Sequence, residues 1–269
     1  MSTLTIGEAA ALLHTAPSTI RSWEQRLGYP TPVRSTSGRR LYDECEIAIL
    51  SDALRRGLSI SSAIRQVREE TGSHEALLRQ ALSELDFATC DALLEAAIAM
   101  RGVSRAFDET VLTAVEGVVL GDDDAGIAAL AVEWAKERAC WGCRHVIAPL
   151  RGTILVVDGS SEGSVTRAAS CILALQLTLR SMRTLMLAGP ARSRYGGLAR
   201  RLDTDAIVFV GEPAPSAGRA NALVPSRIAG FRTAGERLHP GMETLPVQPR
   251  LAAHQLVGPP ARDIVNTHA

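Results

Sequence analysis

The sequence has no surplus of either charge sign and almost no lysine. Its 269 residues include 29 basic and 29 acidic side chains, so the formal net charge is zero. No overall field therefore draws the chain to nucleic acid or to a membrane surface, and any attraction to DNA must come from local clusters of charge. Lys136 is the only lysine, a bias that genomic base composition accounts for.

Long apolar runs and a leader sequence are also missing. No apolar run reaches the roughly 18 residues that a membrane-spanning helix needs. The first five residues include no basic side chain and lead directly into a helix pattern, so we expect no signal peptide and a cytoplasmic protein. Five cysteines are an odd number, and in that compartment we expect free thiols and no disulfide framework.

Basic residues are concentrated in one short stretch near the N-terminus. Between residues 21 and 40 the sequence has five arginines and a single acid, Glu24. The arginines are Arg21, Arg26, Arg34, Arg39 and Arg40. Such a local cluster is the electrostatic footprint of a nucleic-acid interface.

Two helices are predicted at the start of the chain, and the second overlaps the beginning of this basic stretch. Thr5 and Glu8 have the spacing of a capping box, which predicts that a first helix begins near Ile6 and ends at residues 14–17. A second helix follows from Ser18 or Thr19. Its inward face is formed by Ile20, Trp23 and Leu27.

The outward face of the second helix has the residues that a DNA-reading helix needs. Arg21, Gln25 and the hydroxyls of Ser18 and Thr19 point away from the apolar stripe. In a helix-turn-helix, the first turn of the second helix enters the major groove, where such side chains reach phosphates and base edges.

A short hairpin and two further helices complete the first domain. Val33–Arg34 and Arg40–Tyr42 are predicted strands around a turn at 35–38. The side chains expected to line this wing and contact the sugar–phosphate backbone are Arg34, Arg39 and Arg40. Helices are predicted over 43–54 and from 59 to about 70.

The middle of the chain, residues 73–150, is rich in alanine, leucine and valine. Helical periodicity predicts four helices, at 74–84, 87–100, 103–120 and 125–147. Four helices joined by short loops form a bundle. Cys140, Cys143 and His145 stand close together in the last of them, which leaves two interpretations open. Either they bind zinc or form a redox pair, or they are small buried residues beside a boundary aromatic.

The last part of the chain, residues 151–269, alternates strands and helices. Thr153–Asp158, Thr184–Leu187 and Ala206–Val210 are apolar runs typical of strands that are buried on both faces. Helices are predicted over 164–181 and 195–202, so the sheet is parallel and flavodoxin-like (Rossmann-type). Further short strands are predicted at 222–224, 228–229 and 244–247, followed by an irregular tail. The predicted fold class is therefore multidomain α and α/β, with a winged helix at 1–72, a four-helix bundle and this sheet domain.

Ligands of such sheets bind beyond the carboxyl ends of the strands. Two loops occupy this position, Asp158–Gly163 and Gly189–Ser193. Ser160 and Ser161, just before a helix N-terminus, have donors suited to an anion, although any βα turn has this appearance.

Three segments together resemble the winged DNA-binding domain of the MerR regulators. They are Ile6–Ala10, Thr19–Gly28 and Gly38–Asp43, and the likeness extends over residues 4–70. The Arg-x-Trp-Glu-x-Arg-x-Gly form within the second segment is most similar to the branch that includes the light-responsive CarA, CarH and LitR repressors. By this resemblance, DNA contacts are expected from Thr19, Arg21, Arg34, Arg39, Arg40 and Tyr42, whereas Trp23 and Leu41 belong to the core.

In that branch, the helical bundle and the sheet domain resemble a cobalamin-binding module. The resemblance implies an Asp-x-His-x-x-Gly loop whose histidine ligates cobalt, but Asp158–Gly163 has Ser160 at that position. A hydroxyl is a poor substitute for imidazole, so we expect no cobalamin and an unidentified ligand, if any, at this loop.

A second signature of the module, Trp-x9-Glu-His, covers the upper corrin face. Trp134 is followed at similar spacing by Arg144 and His145. An alignment counted back from the first strand of the sheet instead places Val118 at the tryptophan position and Ala128–Ala129 at the Glu-His position. The candidate ligand-site residues are Asp158, Ser160, Ser161, Gly163 and Trp134.

The expected function is a MerR-type transcriptional regulator that binds promoter DNA as a homo-oligomer and acts on RNA polymerase indirectly. No membrane partner is expected. The alternative is a repressor that depends on cobalamin or another chromophore and responds to light. The sequence offers no nucleophile–base pair and no paired acids in a loop, so we expect no enzyme.

Overall fold

The computed structural model describes residues 3–34, 39–121, 124–146, 150–188, 195–211, 227–232 and 243–258. In these ranges the chain forms a winged helix, a helical bundle and a parallel sheet domain, which confirms the predicted fold class. No helix in the described ranges combines the length and the apolar character needed to cross a bilayer.

The winged helix is built from three strands and four helices. The strands are β1 (Thr3–Thr5), β2 (Val33–Arg34) and β3 (Arg40–Asp43), and the helices are α1 (Ile6–Leu12), α2 (Pro17–Leu27), α3 (Glu44–Arg55) and α4 (Ile60–Ser83). The predicted capping box is present, because Glu8 N donates to Thr5 Oγ1 and Thr5 N donates to Glu8 Oε2 at 2.7 Å. β1 was not predicted. It is only three residues long and depends on antiparallel pairing with β3, far along the chain.

Helix α4 is one continuous helix of 24 residues, where two shorter helices were predicted. The predicted boundary between residues 72 and 73 therefore lies inside a helix. Gly72 and Ser73 are weak helix formers, and their propensity cost of about 1 kcal/mol or less per residue is small beside tertiary packing. α4 packs against α3 in the winged helix and against later helices of the bundle, so it joins the two parts of the chain.

The bundle continues with α5 (Phe87–Arg101), α6 (Val103–Arg105), α7 (Leu112–Gly121) and α8 (Ala125–His145). The predicted regular helix at 103–120 is interrupted by a π-helical turn, Ala106–Val111. Single π turns of this kind introduce an extra residue and change which side chains face inward. Here the turn buries Asp108 among the basic side chains described below.

The sheet domain contains β4 (Gly152–Asp158), β5 (Met182–Ala188), β6 (Ala206–Val210), β7 (Arg227–Phe231) and β8 (Glu243–Thr244). All neighbours are parallel in the order β5-β4-β6-β7-β8, which is the flavodoxin-like order. Helices α9 (Val165–Thr178), α10 (Tyr195–Arg201) and α11 (Pro249–Val257) accompany the strands.

Two predictions for the end of the chain need correction. The predicted strand at 244–247 is paired only at Thr244, and α11, which begins with a proline at its first position, was missed. Pro249 fits the first turn of a helix, where its absent N–H is not needed. The predicted strand at 222–224 and the loop at 189–193 lie outside the described residues.

A buried cluster of opposite charges connects the three parts of the chain. Arg105, which is 9% exposed, contacts Glu109 through Nε at 2.9 Å and Glu46 of α3 through Nη1 at 3.5 Å. Asp108 accepts a hydrogen bond from the backbone N–H of Arg250 in α11 at 2.8 Å. Burial raises the pKa of the Glu46 carboxyl, and the positive charge of Arg105 opposes this shift.

We predict that Arg105→Ala destabilises the protein by about 3–5 kcal/mol, because it leaves Glu46 buried without its cation. Urea denaturation followed by circular dichroism measures this loss. Arg56→Ala is the matched control: Arg56 forms an exposed pair with Asp52, so its loss costs about 1 kcal/mol or less. Equal, small effects of both substitutions would contradict a structural role for the cluster.

Candidate functional site

Helix α2 presents a polar face to solvent. Pro17 occupies its first turn, and Gly28 ends it in the left-handed conformation with φ of 64°. Ile20 is fully buried, with Trp23 and Leu27 packed beside the same core. The predicted residues Ser18 and Arg21 are exposed and Thr19 is half-buried, as a DNA-reading helix requires.

The wing forms as predicted on both sides of its turn. β2 and β3 pair antiparallel, with Val33 opposite Leu41 and Arg34 opposite Arg40. Arg39 is exposed and Arg40 half-buried. The turn at 35–38 lies outside the described residues.

Glu24 fixes the wing to α2. Its Oε2 accepts a hydrogen bond from Arg40 Nε at 3.0 Å, and its Oε1 accepts one from the Tyr42 hydroxyl. Glu24 is the single acid of the basic stretch, and no role was predicted for it.

Tyr42 is fully buried, which contradicts the prediction that it contacts DNA. Burial raises the pKa of its hydroxyl, the hydrogen bond to Glu24 raises it further, and the charges of Arg40 and Arg21 lower it. Arg21 therefore lies near the junction of helix and wing, with its side chain still exposed.

We predict that Tyr42→Phe lowers stability by about 1.5–3 kcal/mol, the range for a hydrogen bond to a charged group. We expect the folded variant to keep its DNA affinity within about twofold, or about 0.4 kcal/mol. Thermal unfolding and a binding titration separate the two effects. A tenfold loss of affinity at unchanged stability would instead identify Tyr42 as a DNA contact.

A groove of about 400 Å³ lies between α2 and the first turn of α4. It is lined by Ser18, Thr19, Ser22, Trp23, Arg26, Leu27, Ile60 and Ser61. Ser22, Arg26 and Ser61 were not among the predicted site residues. For Ser61 the reason is that only the fold brings the start of α4 next to α2. Hydroxyls and guanidinium groups are typical phosphate-binding donors in protein–DNA interfaces.

The loop after β4 uses its polar groups internally. Asp158 is buried, and its Oδ1 accepts hydrogen bonds from the backbone N–H of Ser160, at 2.9 Å, and from the Ser160 hydroxyl. Its Oδ2 accepts one from Ser170 at 2.7 Å. Ser161 is exposed, and its carbonyl accepts hydrogen bonds from the N–H and hydroxyl of Ser164. Both oxygens of the predicted ligand-site carboxylate are thus occupied.

Two glycines allow close approaches to the loop after β4, at the point where the strand order reverses. A Cβ on Gly211, just after β6, would lie 2.9 Å from the backbone nitrogen of Ser160. A Cβ on Gly163 would lie 3.5 Å from that of Ala129 in α8. The loop is therefore in contact with β6 on one side and with the bundle on the other.

Trp134, one of the predicted ligand-site residues, lies in the bundle core. It is 4% exposed, and its Nε1 donates a hydrogen bond to Asp91 Oδ1 at 3.0 Å. Its indole is thus held between α8 and α5.

Cys140, Cys143 and His145 all lie near the end of α8. His145 stacks on Trp141, and its Nδ1 lies 2.8 Å from the Trp141 carbonyl oxygen. Cys140 and Cys143 are half-buried free thiols. Within the described ranges, no group of three potential metal ligands comes together, so the zinc interpretation finds no ligand set there.

Comparisons with known proteins agree on the first part of the chain. The family of MerR regulatory proteins matches residues 5–42. The HTH-type transcriptional repressor CarA of Myxococcus xanthus is 37% identical over 73 residues, which is 25% of this chain and 25% of that repressor. The chain thus spans about a quarter of the length of this relative.

A solved structure with some similarity to this chain is that of a cobalamin-binding protein from Desulfitobacterium hafniense DCB-2. It is 12% identical, with 67% of this chain and 87% of that chain covered and a TM-score of 0.33. A likeness of this size carries no information about a ligand. The predicted resemblance to the MerR regulators is confirmed for the N-terminal domain, because residues 5–42 match that family. The similarity to CarA agrees with the branch of the family that was predicted.

Proposed function

We propose that this protein is a transcriptional regulator that binds promoter DNA through α2 and the wing. The observation that carries the proposal is the exposed polar face of α2, with Ser18 and Arg21, fixed by Glu24 beside the arginines of the wing. We propose that Arg21 and Thr19 reach the major groove and that Arg34, Arg39 and Arg40 contact phosphates. A regulator of this kind acts where the chromosome is, which places it in the cytoplasm.

We propose further that the protein binds DNA as a homo-oligomer, influences RNA polymerase only through the promoter and catalyses no reaction. A dimer through a free helix after the wing is not favoured, because α4 packs against α5 and α7 of its own chain. Contacts between subunits then come from other surfaces of the bundle or from the sheet domain.

The loop after β4 does not fit cobalamin. Ser160 stands where the resemblance implies a cobalt-ligating histidine, and its hydroxyl is bound to Asp158. Gly211 and Ala129 pack against the same loop on opposite sides. We therefore propose a regulator without cobalamin and favour it over the chromophore-dependent alternative.

We predict that Arg21→Ala weakens binding to the promoter of its own gene about tenfold, or 1.4 kcal/mol. Arg39→Ala removes a phosphate contact, so it should lower the slope of log affinity against log salt by about 1. Gel shifts at several salt concentrations measure both. Arg151→Ala, an exposed arginine at the start of the sheet domain, is the control and should bind like wild type. If all three variants bind alike, the assigned interface is wrong.

We predict that adenosylcobalamin, added in the dark, elutes separately from the protein in gel filtration with an unchanged absorption spectrum. Ser160→His restores the histidine of the family but leaves Gly211 and Ala129 in place, so this variant should bind no cofactor either. A coloured wild-type protein would refute the proposal. Binding by Ser160→His alone would show that the missing ligand, and not the packing, prevents binding.

A further inference from the structure

One face of helix α8 is open to solvent along most of its length. Leu130, Glu137, Trp141 and Arg144 follow one another at spacings of seven, four and three residues, so their side chains share this face. All four are exposed, and we call them the α8 strip. Other sides of α8 pack against α7 and α9. The described parts of the chain therefore leave the strip uncovered.

Trp141 is the largest side chain of the strip and is 54% exposed. Its ring stacks on His145, with the ring centroids 4.0 Å apart, so the indole is held in place without being buried. Single exposed apolar residues are common on protein surfaces. A fixed tryptophan with an arginine on the next turn, however, is the composition of the centre of a protein interface.

The two charges of the strip have a fixed order along the helix. Glu137 comes first, and Arg144 follows two turns later, at a distance of about 10 Å along the helix axis. Both are exposed. The ion pairs of α8 within the described ranges involve other residues, namely Glu133, Lys136 and Arg138. The strip therefore presents one acid and one base, with a net charge of zero, to whatever packs against it.

We propose that the α8 strip is the interface of a homodimer in which the α8 helices of two copies pack antiparallel. A two-fold axis between residues 140 and 141 places Glu137 of each copy opposite Arg144 of the other. The same axis brings the two Trp141 rings together at the centre. This inference rests on the homo-oligomer of the proposed function and identifies the surface that forms it.

Charge complementarity selects a second copy as the occupant of this face. Antiparallel packing puts opposite charges together at both ends of the strip, whereas parallel packing would put like charges together. The two-fold axis also uses each contact twice, so one strip supplies two ion pairs and two aromatic anchors. Because exposed ion pairs contribute little free energy, the tryptophans provide most of the affinity and the charges set the direction of packing.

The test is the oligomeric state of the full chain without DNA, measured by sedimentation velocity over a range of concentrations. We expect a dimer for the wild type. Glu137→Arg and Arg144→Glu each create two like-charge contacts, so each should raise the dimer dissociation constant about tenfold. Trp141→Ala should raise it at least as much. Arg56→Glu, a charge reversal at an exposed position of α3, is the matched control and should leave the dimer unchanged.

Mixing the two charge-reversed proteins tests the pairing between copies directly. An equimolar mixture of Glu137→Arg and Arg144→Glu should form a heterodimer with an affinity within about threefold of the wild type, since every contact then joins opposite charges. The double variant Glu137→Arg/Arg144→Glu should likewise dimerise with itself. Circular dichroism checks that each variant is folded. Weakened single variants that neither the mixture nor the double variant restores would overturn the antiparallel interface.

Gel shifts with the promoter of its own gene, run on the same samples, separate this proposal from the proposed function. A wild-type protein that sediments as a monomer at every concentration overturns the α8 interface, and if it is also monomeric on DNA the homo-oligomer is overturned too. An oligomer that all three single variants of the strip leave intact overturns the α8 interface alone. A dimer that binds no promoter DNA overturns the proposed regulator and leaves the interface standing.

Discussion

Buried ion pairs hold the three parts of this chain in one arrangement. Arg105 lies between Glu46 of the winged helix and Glu109 of the π-helical turn, and Asp108 on the same turn accepts a hydrogen bond from Arg250 in α11. These side chains are largely withdrawn from water, so each charge depends on its partner, and an unpaired one would cost several kcal/mol. Any arrangement that separated the winged helix, the bundle and the sheet domain would leave buried charges unpaired, at that cost in free energy. The π turn matters because it brings two acids to neighbouring inward positions.

A paired charge also holds the junction between α2 and the wing. Glu24 neutralises Arg40 and accepts the hydroxyl hydrogen of Tyr42, which fixes the angle between wing and helix. Arg21 and Arg39 remain exposed. Arg40 thus has a structural role that Arg21 and Arg39 do not share in this contact, although the sequence presents all five arginines as equivalent.

The sheet domain shows why a fold does not define a ligand. Its strand order provides the crevice in which such folds bind ligands, but Ser160 approaches Gly211 closely and has its hydroxyl bound to Asp158.

Local chemistry determined what the sequence revealed by itself. The capping box at Thr5, the helix end at Gly28 and the apolar run of β6 depend on near neighbours, so their residue types suffice to predict them. Only the tertiary structure decided that Tyr42 is buried and that Glu24 connects α2 to Arg40 of the wing. These outcomes depend on residues that are distant in sequence and are brought together by packing, and no local pattern encodes such a contact.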